Sequence, residues 1–239
     1  IYLDDGMLAA LSEKKQKEQL HFVSLMAKPS LRRFWERALM PAFIYFFKLI
    51  YPFAPSNSGN PRFAVAAGGC ILLDTQTIHA IGGLQSIKNA IIDDCALAKR
   101  IKGKGYRTWT GLTRNVHSQR PYESLSDIWN MVARTAYTQL RYSFILLGLC
   151  TLIMIMMFLL PVFAPFLGNP KLIMIATSSF LLMAASYLPT LYFYERNPAW
   201  VFGLPAVAVL YLGMTWTSAW RYWNGEASRW KNRVYEKRT

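Results

Sequence analysis

Charged residues are missing from three long stretches of this sequence: Tyr142 to Pro170, Leu172 to Tyr194 and Asn197 to Trp220. About 20 apolar residues, at roughly 1.5 Å rise per residue, cross a hydrocarbon core of roughly 30 Å. A soluble domain could bury one such helix, but three in succession leave no polar face for water. The sequence therefore predicts three transmembrane helices, at about residues 143–167, 172–194 and 198–220.

Cysteine and histidine are scarce, and neither is spaced as a ligand set. Cys70, Cys95 and Cys150 lie far apart and form no Cys-x-x-Cys pair. This spacing argues against a disulfide framework and against a zinc site, and it fits reduced thiols. The three histidines show no metal-ligand spacing to one another or to the cysteines.

Acidic residues are outnumbered, 13 against 27 Lys and Arg, which gives a net charge of +14. Most of the basic residues flank the apolar runs, with 19 Lys and Arg in residues 1–142 and 6 in residues 221–239. Such flanks suit a membrane with anionic head groups, since each Lys or Arg contributes on the order of 1 kcal/mol. No helix or ribbon concentrates these residues and no nucleic-acid-binding motif accompanies them, so no nucleic-acid partner is predicted.

Strand and helix patterns alternate ahead of the apolar runs. The helical patterns are Asp5–Leu20, Thr75–Ile81, Asp93–Lys102 and Ser124–Tyr142. The strand patterns are His21–Met26, Ala64–Leu73 and Tyr106–Thr110. This alternation predicts an α/β domain over residues 1–142, incomplete at its front edge, followed by transmembrane α-helices and a basic tail over residues 221–239.

The aromatic-rich segment Phe34–Phe53 fits two structures. Its uncharged part, Ala38 to Phe47, is too short to span a bilayer, and Pro41 lies inside it. Trp and Tyr favour the head-group region, which predicts an interfacial helix lying along the membrane. An amphipathic core helix fits the pattern nearly as well.

The membrane topology contains a conflict. Three complete spans place the two flanking segments on opposite faces, although both are rich in Lys and Arg and the positive-inside rule favours the cytoplasm for both. Three explanations stay open: one apolar run is re-entrant, the Phe34–Phe53 segment crosses the membrane, or the rule does not hold here.

The pair Asp93-Asp94 is the clearest candidate for chemistry. It follows an apolar stretch at a predicted helix start, where two acids commonly serve as a cap and favour the helix dipole. The alternative is catalysis, because a carboxylate can take the proton of an attacking hydroxyl. The residue pattern alone leaves both interpretations open.

Several motifs occur in a fixed order along the chain. They are Leu25-Met26, Phe34-Trp35-Glu36, Pro41-Ala42-Phe43, Tyr51-Pro52-Phe53, Ala66 to Leu73, Ile81-Gly82-Gly83, Ile92 to Leu97, Gly105-Tyr106-Arg107, Arg120-Pro121-Tyr122, Arg134 to Ser143 and Arg229-Trp230-Lys231. In this order they resemble the second half of a membrane-embedded family 2 glycosyltransferase with a GT-A fold, and in particular its hopene-associated branch. The chain is then the C-terminal part of a GT-A type domain, truncated at its N-terminus.

The resemblance implies an inverting transfer of a sugar from a nucleotide-sugar donor to a lipid acceptor, which for this branch is hopanoid-related. It assigns the general base to Asp94 with Asp93 as its neighbour. Gly68 and Gly69 resemble the small residues that let the backbone approach a substrate, although tight strand packing explains them equally well. It also implies an integral protein of the bacterial inner (cytoplasmic) membrane, with the catalytic part facing the cytoplasm.

Arginines complete the implied site. Relatives carry a Gln-x-x-Arg-Trp element, and in the closest register this chain has Thr138, Arg141 and Tyr142. Arg141 or Arg134 would contact a diphosphate, since a guanidinium binds phosphate oxygens in bidentate fashion. Arg120 is a further substrate-binding candidate from its motif, and a membrane-interface anchor is the alternative role for Arg141.

The Asp-x-Asp that holds a divalent metal, Mg or Mn, in such enzymes is not present in this sequence. The chain opens on Ile1 rather than on an initiator Met, so the metal ligands and the donor-binding half are expected upstream of it, and the fragment alone is expected to be inactive. Two other functions fit parts of the sequence. One is a non-catalytic membrane scaffold or degenerate relative; the other is a transporter, which the chargeless runs disfavour because transport pathways usually contain polar groups.

Overall fold

A computed structural model describes residues 1–230 and 233–236, with only the backbone described from residue 227 onward. The chain divides into two compact units, one made of Ile1–Glu36 and Phe46–Pro121, the other of Arg37–Tyr45 and Tyr122–Thr239. The predicted boundary at residue 142 remains a prediction.

The first unit is a mixed α/β structure. Its strands are β1 (Tyr2–Leu3), β2 (Phe22–Lys28), β3 (Cys70–Leu73) and β4 (Thr108–His117). Its helices are α1 (Met7–Lys17), the two ends of α2 (Phe34–Ile50), α3 (Phe53–Ser56), α4 (Thr75–Ala80) and α5 (Asp93–Gly103), with a 3₁₀ turn at Leu84–Ile87. The sheet order is β1-β4-β2-β3, in which β2 and β4 are parallel and the two outer pairs are antiparallel.

Strand β2 lies at the centre of the unit because both of its faces are covered. On one face Phe22 packs in a buried cluster with α5, through Leu97 and Ile101. On the other face Val23 and Leu25 join a second cluster that includes α1. Side chains alternate across a strand, so a strand with apolar residues on both sides becomes the middle layer of the fold.

The predicted strand Ala64–Leu73 is wrong in its first part, since only Cys70–Leu73 is a strand. The preceding segment runs irregularly beside β2 and β4 and is bonded by side chains. The buried Ser24 hydroxyl donates to the Ala67 carbonyl at 2.9 Å and accepts from its N–H at 2.8 Å. Thr110 Oγ1 donates to the Val65 carbonyl at 2.7 Å. Two hydroxyls thus replace the ladder bonds that a strand would have made.

The structure confirms the predicted helix as α2, and the middle of this helix is buried inside the protein. Residues 38–42 are all buried, with Leu39 and Ala42 fully so. Within the second unit, the Tyr211 hydroxyl donates to the Leu39 carbonyl at 2.9 Å, and the Tyr45 hydroxyl lies 2.8 Å from Ser186 Oγ. These contacts favour the core-helix alternative for the middle of α2. An interfacial position for its ends stays a prediction.

The second unit is helical and ends in a hairpin. Its helices, besides the middle of α2, are α6 (Leu125–Ala133), α7 (Ala136–Gln139), α8 (Phe144–Met154), α9 (Leu160–Phe163), α10 (Pro170–Phe193) and α11 (Leu204–Trp223). The hairpin consists of β5 (Glu226–Trp230) and β6 (Arg233–Glu236). It falls in the predicted basic tail, but Lys231 of the tail motif lies outside the described residues.

The single helix predicted over Ser124–Tyr142 is wrong, because the chain breaks between α6 and α7 and again after α7. A capping box at Ser124 and Asp127 starts α6, at the predicted start of the helix. Arg141 and Tyr142 then adopt left-handed backbone angles, with φ of 51° and 57°. That turn is the point at which the chain enters the first apolar run.

Three helical segments are long and apolar enough to cross a membrane: Phe144–Leu167, Pro170–Phe193 and Pro198–Trp223. They coincide with the three chargeless runs. The first is interrupted by a π-helical turn at Ile155–Leu159 and ends in a 3₁₀ turn at Ala164–Leu167. Pro161 follows the π-helical turn and Pro165 lies in the 3₁₀ turn, and proline disturbs a helix because it lacks the amide donor.

Candidate active site

Asp94 lies in the first turn of α5, and both of its carboxylate oxygens are bonded to backbone. Oδ2 accepts from the N–H of Gly68 at 2.7 Å, and Oδ1 accepts from the N–H of Cys95 at 2.7 Å. Asp93 Oδ1 accepts from the N–H of Asp94 at 3.0 Å. The pair therefore does act as a helix-start group, and this anchoring also fixes where the Asp94 carboxylate points.

Burial is the main influence on the acidity of Asp94. It raises the pKa of the carboxyl above the ordinary value of an aspartate, and the negative charge of Asp93 raises it further. The hydrogen bonds from Cys95 and Gly68 act in the opposite direction. A carboxylate with a raised pKa is a better proton acceptor, and such groups are concentrated at functional sites.

The neighbouring thiol is not a nucleophile. Cys95 Sγ donates to the Ala66 carbonyl at 3.4 Å. Burial, and then the charge of Asp94, raise the pKa of this thiol to about 12. Because the thiolate is the reactive form, Cys95 stays protonated and serves to hold the irregular segment against α5.

Gly68 and Gly69 are explained by close approach. A Cβ at Gly68 would lie 3.2 Å from Asp94 Oδ2. A Cβ at Gly69 would lie 3.0 Å from the Ala27 Cβ and 3.3 Å from its backbone nitrogen. Gly69 thus supports the packing explanation, whereas Gly68 lets the carboxylate reach the backbone N–H. Substrate contact by either glycine remains a prediction.

A buried lysine secures the same part of the unit. Lys102, at the end of α5, donates to the carbonyls of Ser56 at 2.6 Å and of Phe63 at 2.5 Å. Its removal from water lowers its pKa. Asn57 adds two bonds to the backbone of Thr110, at 2.8 and 2.9 Å. These anchors are not visible in the sequence, because a lysine in a helical pattern looks like part of a solvated face.

A cavity of about 540 Å³ opens at the carboxyl ends of the parallel strands β2 and β4. Lys28 and His117, which are register partners at those strand ends, both line it. The remaining lining residues are Tyr2, Pro29, Ser30, Leu31, Arg32, Ser118, Gln119 and Pro121, with no acid among them. Ligands of α/β sheets commonly bind at this edge.

The loop that lines the cavity is held by a buried acid that sequence analysis did not single out for chemistry. Glu36 is fully buried. Its Oε2 accepts from Ser30 Oγ at 2.8 Å, from the N–H of Arg32 at 2.9 Å and from the N–H of Arg33 at 3.0 Å. The only sequence signal was its motif Phe34-Trp35-Glu36, in which a single charge interrupts an apolar helix.

The structure brings together Asp93, Asp94 and Gly68, with Gly69 adjacent. The exposed Arg120 belongs to the same unit and follows β4, two residues after the cavity-lining Ser118.

Arg134 and Arg141 belong to the second unit. Arg134 ends α6 with its Nε buried, and Arg141 is exposed. Contact of any of the three arginines with substrate remains a prediction.

The described residues do not fit a metal site. No group of three or more His, Cys, Asp or Glu side chains within residues 1–230 and 233–236 is placed to hold an ion. Asp94 accepts one backbone N–H on each carboxylate oxygen, and Asp4 bonds His117 at 3.2 Å. The Mg²⁺ or Mn²⁺ implied by the resemblance stays an expectation.

Comparison with known protein families identifies the chain as a glycosyltransferase. Residues 52–239 match the model of glycosyl transferase family 21, and the match covers more than three quarters of the chain. The protein therefore belongs to that family. No curated protein and no solved structure matches the chain. The predicted glycosyltransferase is confirmed, while family 2, the GT-A fold and the hopene-associated branch remain predictions.

Proposed function

We propose that this protein is the C-terminal part of a membrane-bound inverting glycosyltransferase that moves a sugar from a nucleotide-sugar donor to the hydroxyl of a lipid. Asp94 is the general base. The observation that carries this proposal is the Asp94 carboxylate, fixed at the start of α5 by two backbone N–H groups and made more basic by burial.

The proposed reaction is a single displacement at the anomeric carbon of the donor sugar. The acceptor hydroxyl oxygen attacks the anomeric carbon and forms the new C–O bond, while its proton passes to Asp94. The bond between the anomeric carbon and the phosphate oxygen breaks, and the nucleoside diphosphate leaves with the electron pair. A positioned carboxylate contributes about 10²–10⁴-fold to such a proton transfer. Helices able to enter a bilayer suit an acceptor that is dissolved in the membrane.

We also assign the cavity beside β2 and β4 to the anionic part of a substrate. Lys28 and Arg32 line it without an acidic residue among its lining. Its lining residue Lys28 follows Ala27 in β2, and Gly69 packs against Ala27. A phosphate group could come from the donor or from a lipid head group, and both offer the same chemistry to these cations.

The base is tested with Asp94→Asn in the full-length enzyme, assayed for sugar transfer in membranes. We expect a loss of about 10²–10⁴-fold, with unchanged membrane insertion. Asp127→Asn is the matched control, because Asp127 is also a first-turn acid of a helix but belongs to α6, and it should retain transfer. Wild-type-like transfer by Asp94→Asn would remove Asp94 as the base.

The cavity is tested with the double variant Lys28→Gln, Arg32→Gln against the control Lys104→Gln, an exposed lysine outside the cavity. We expect a raised KM for the substrate whose anionic group lies there, with a smaller change in kcat. A change in the donor KM assigns the cavity to the diphosphate, and a change in the acceptor KM assigns it to a lipid head group. Equal KM values for all variants would contradict the assignment.

A further inference from the structure

The loop of residues 29–33 joins the end of β2 to the start of α2 and forms one wall of the cavity. Its residues Pro29, Ser30, Leu31 and Arg32 all line the cavity. Arg32 and Lys28 are the two Lys or Arg residues of that lining. Lys28 ends strand β2 and pairs with His117 in the sheet, whereas Arg32 belongs to a segment without regular secondary structure. The position of Arg32 therefore depends on the contacts that hold the loop.

Glu36, in the first turn of α2, holds this loop through one oxygen. Its Oε2 accepts from Ser30 Oγ at 2.8 Å, from the N–H of Arg32 at 2.9 Å and from the N–H of Arg33 at 3.0 Å. A carboxylate is suited to this task because it offers several lone pairs and needs no acceptor of its own. A displacement of the loop away from α2 would break all three bonds together.

Glu36 acts from behind the wall of the cavity. Its side chain is fully buried and does not line the cavity, so a ligand there meets Ser30 and Arg32 instead. Ordering an arginine at the moment of binding reduces affinity, because the side chain and its loop then lose conformational freedom. A loop that is already bonded in place avoids that loss. Glu36 therefore supplies preorganisation that an arginine on an irregular segment would otherwise lack.

We propose that Glu36 is a positioning residue for substrate binding, which holds the loop so that Arg32 is in place before the anionic group of the substrate arrives. This role rests on the proposed assignment of the cavity to an anionic group. It depends on the reach of the side chain, because one oxygen has to meet three donors at once. Its loss should weaken binding and leave the proton transfer to Asp94 intact.

Two substitutions separate the reach of Glu36 from its charge. Glu36→Asp keeps a carboxylate but is one methylene shorter, so its oxygen no longer reaches the three donors together. Glu36→Gln keeps the length and one acceptor oxygen but removes the charge. Both variants are assayed in the full-length enzyme in membranes for kcat and for the KM of donor and acceptor. KM does not depend on the amount of folded enzyme, so lower expression does not imitate the effect.

We expect Glu36→Asp to raise the KM of one substrate about tenfold, with kcat within about twofold of the wild type. Glu36→Gln should keep KM within about twofold of the wild-type value. The control Ile101→Val removes one methylene from the buried cluster around α5, which contains no cavity-lining residue, and should lower stability without changing either KM. An unchanged KM in Glu36→Asp contradicts the proposal, and so does a KM raised at least as much in Glu36→Gln.

Arg32 must carry the effect of Glu36. In an Arg32→Gln background, Glu36→Asp should raise KM by less than about twofold, since the two substitutions remove the same interaction. An increase of about tenfold in that background too would mean that Glu36 acts through another residue, which contradicts the proposal.

The double variant Lys28→Gln, Arg32→Gln distinguishes this inference from the proposed function. If it leaves both KM values unchanged, the assignment of the cavity to an anionic group is wrong, and the role of Glu36 in binding is wrong with it. If it raises a KM while Glu36→Asp does not, the assignment of the cavity stands and only the positioning role is wrong.

Discussion

In the unit built around the sheet, polar groups are taken inside and bonded, whereas in the unit built from long helices, large apolar side chains are left outside. Ser24, Glu36 and Lys102 are all buried in the first unit, each with backbone or side-chain partners. In the second, Ile145, Phe166 and Leu182 are between 72 and 84% exposed. Burial therefore has a different meaning in the two units, because the long helices of the second unit are apolar enough to lie in lipid, where an exposed apolar side chain is not penalised.

The largest effect should come from the first unit. Glu36→Ala leaves one hydroxyl and two backbone N–H groups of the cavity loop without their acceptor. Unsatisfied buried donors cost about 1–3 kcal/mol each, so we expect a loss of about 4 kcal/mol after partial relaxation. Chemical unfolding of the full-length protein in detergent measures it. Glu36→Gln, which keeps an acceptor oxygen, should lose about half as much stability. The control Glu13→Ala, which removes an exposed acid, should change stability by no more than about 0.5 kcal/mol.

A matched pair of substitutions tests whether exposed apolar side chains of the two units face different surroundings. Leu182 in α10 and Leu8 in α1 are 72% and 60% exposed. Leu182→Asp should reduce membrane insertion, because an Asp within a bilayer costs about 3 kcal/mol. Leu8→Asp should change stability by less than about 0.5 kcal/mol. Fractionation into membrane and aggregate pools distinguishes them. Equal insertion of both variants would show that the exposed surface of α10 does not face lipid.

Packing beside the site gives a smaller effect. Gly69→Ala places a methyl group 3.0 Å from the Ala27 Cβ and close to its backbone nitrogen. Overpacking of this kind costs about 1–3 kcal/mol. A Gly83→Ala control, where no heavy atom lies within 4 Å but φ is 70°, isolates the cost of a strained backbone from that of a clash. A Gly69→Ala protein as stable as the wild type would show that β2 shifts to accommodate the methyl group without a loss of stability.

The smallest expected effect is a shift in pH dependence. The charge of Asp93 raises the pKa of Asp94, so Asp93→Asn should lower it. A base works only when deprotonated. The acid limb of transfer activity should therefore move to lower pH in Asp93→Asn, as measured by kcat/KM against pH. An acid limb that stays in place would mean that another group titrates in that range.

Local patterns predicted most of the elements, and long-range bonds decided the exceptions. The helix at Asp93 and the three apolar runs follow from residues next to one another. The segment at Ala64–Gly69 has the composition of a strand, yet it is held by hydroxyls of Ser24 and Thr110 that lie 43 and 45 residues away. The periodicity of the local sequence does not reveal such distant partners. The same holds for the carbonyl groups that Lys102 binds.

The site was predictable only where chemistry and local structure coincide. Asp94 stands out because two acids at a helix start are visible in the sequence. Glu36 does not, because its role depends on a loop that turns three donors onto one oxygen. The helix predicted over Ser124–Tyr142 failed for a related reason, since the left-handed turn at Arg141 and Tyr142 depends on tertiary contacts that override local helix preference.

The contact between α8 and α11, where the ring centroids of Phe144 and Trp223 lie 6.1 Å apart, also constrains how the protein is made. Phe144 and Leu147 leave the ribosome long before Trp223 and Ala219 exist, a delay of several seconds at about 5–20 residues per second. Until then Leu147 has Tyr137 as a neighbour but lacks its contact with Ala219. The packing of α8 is therefore completed last, after α11 has been synthesised, and a ribosome stalled just short of Ala219 would leave α8 without that helical partner.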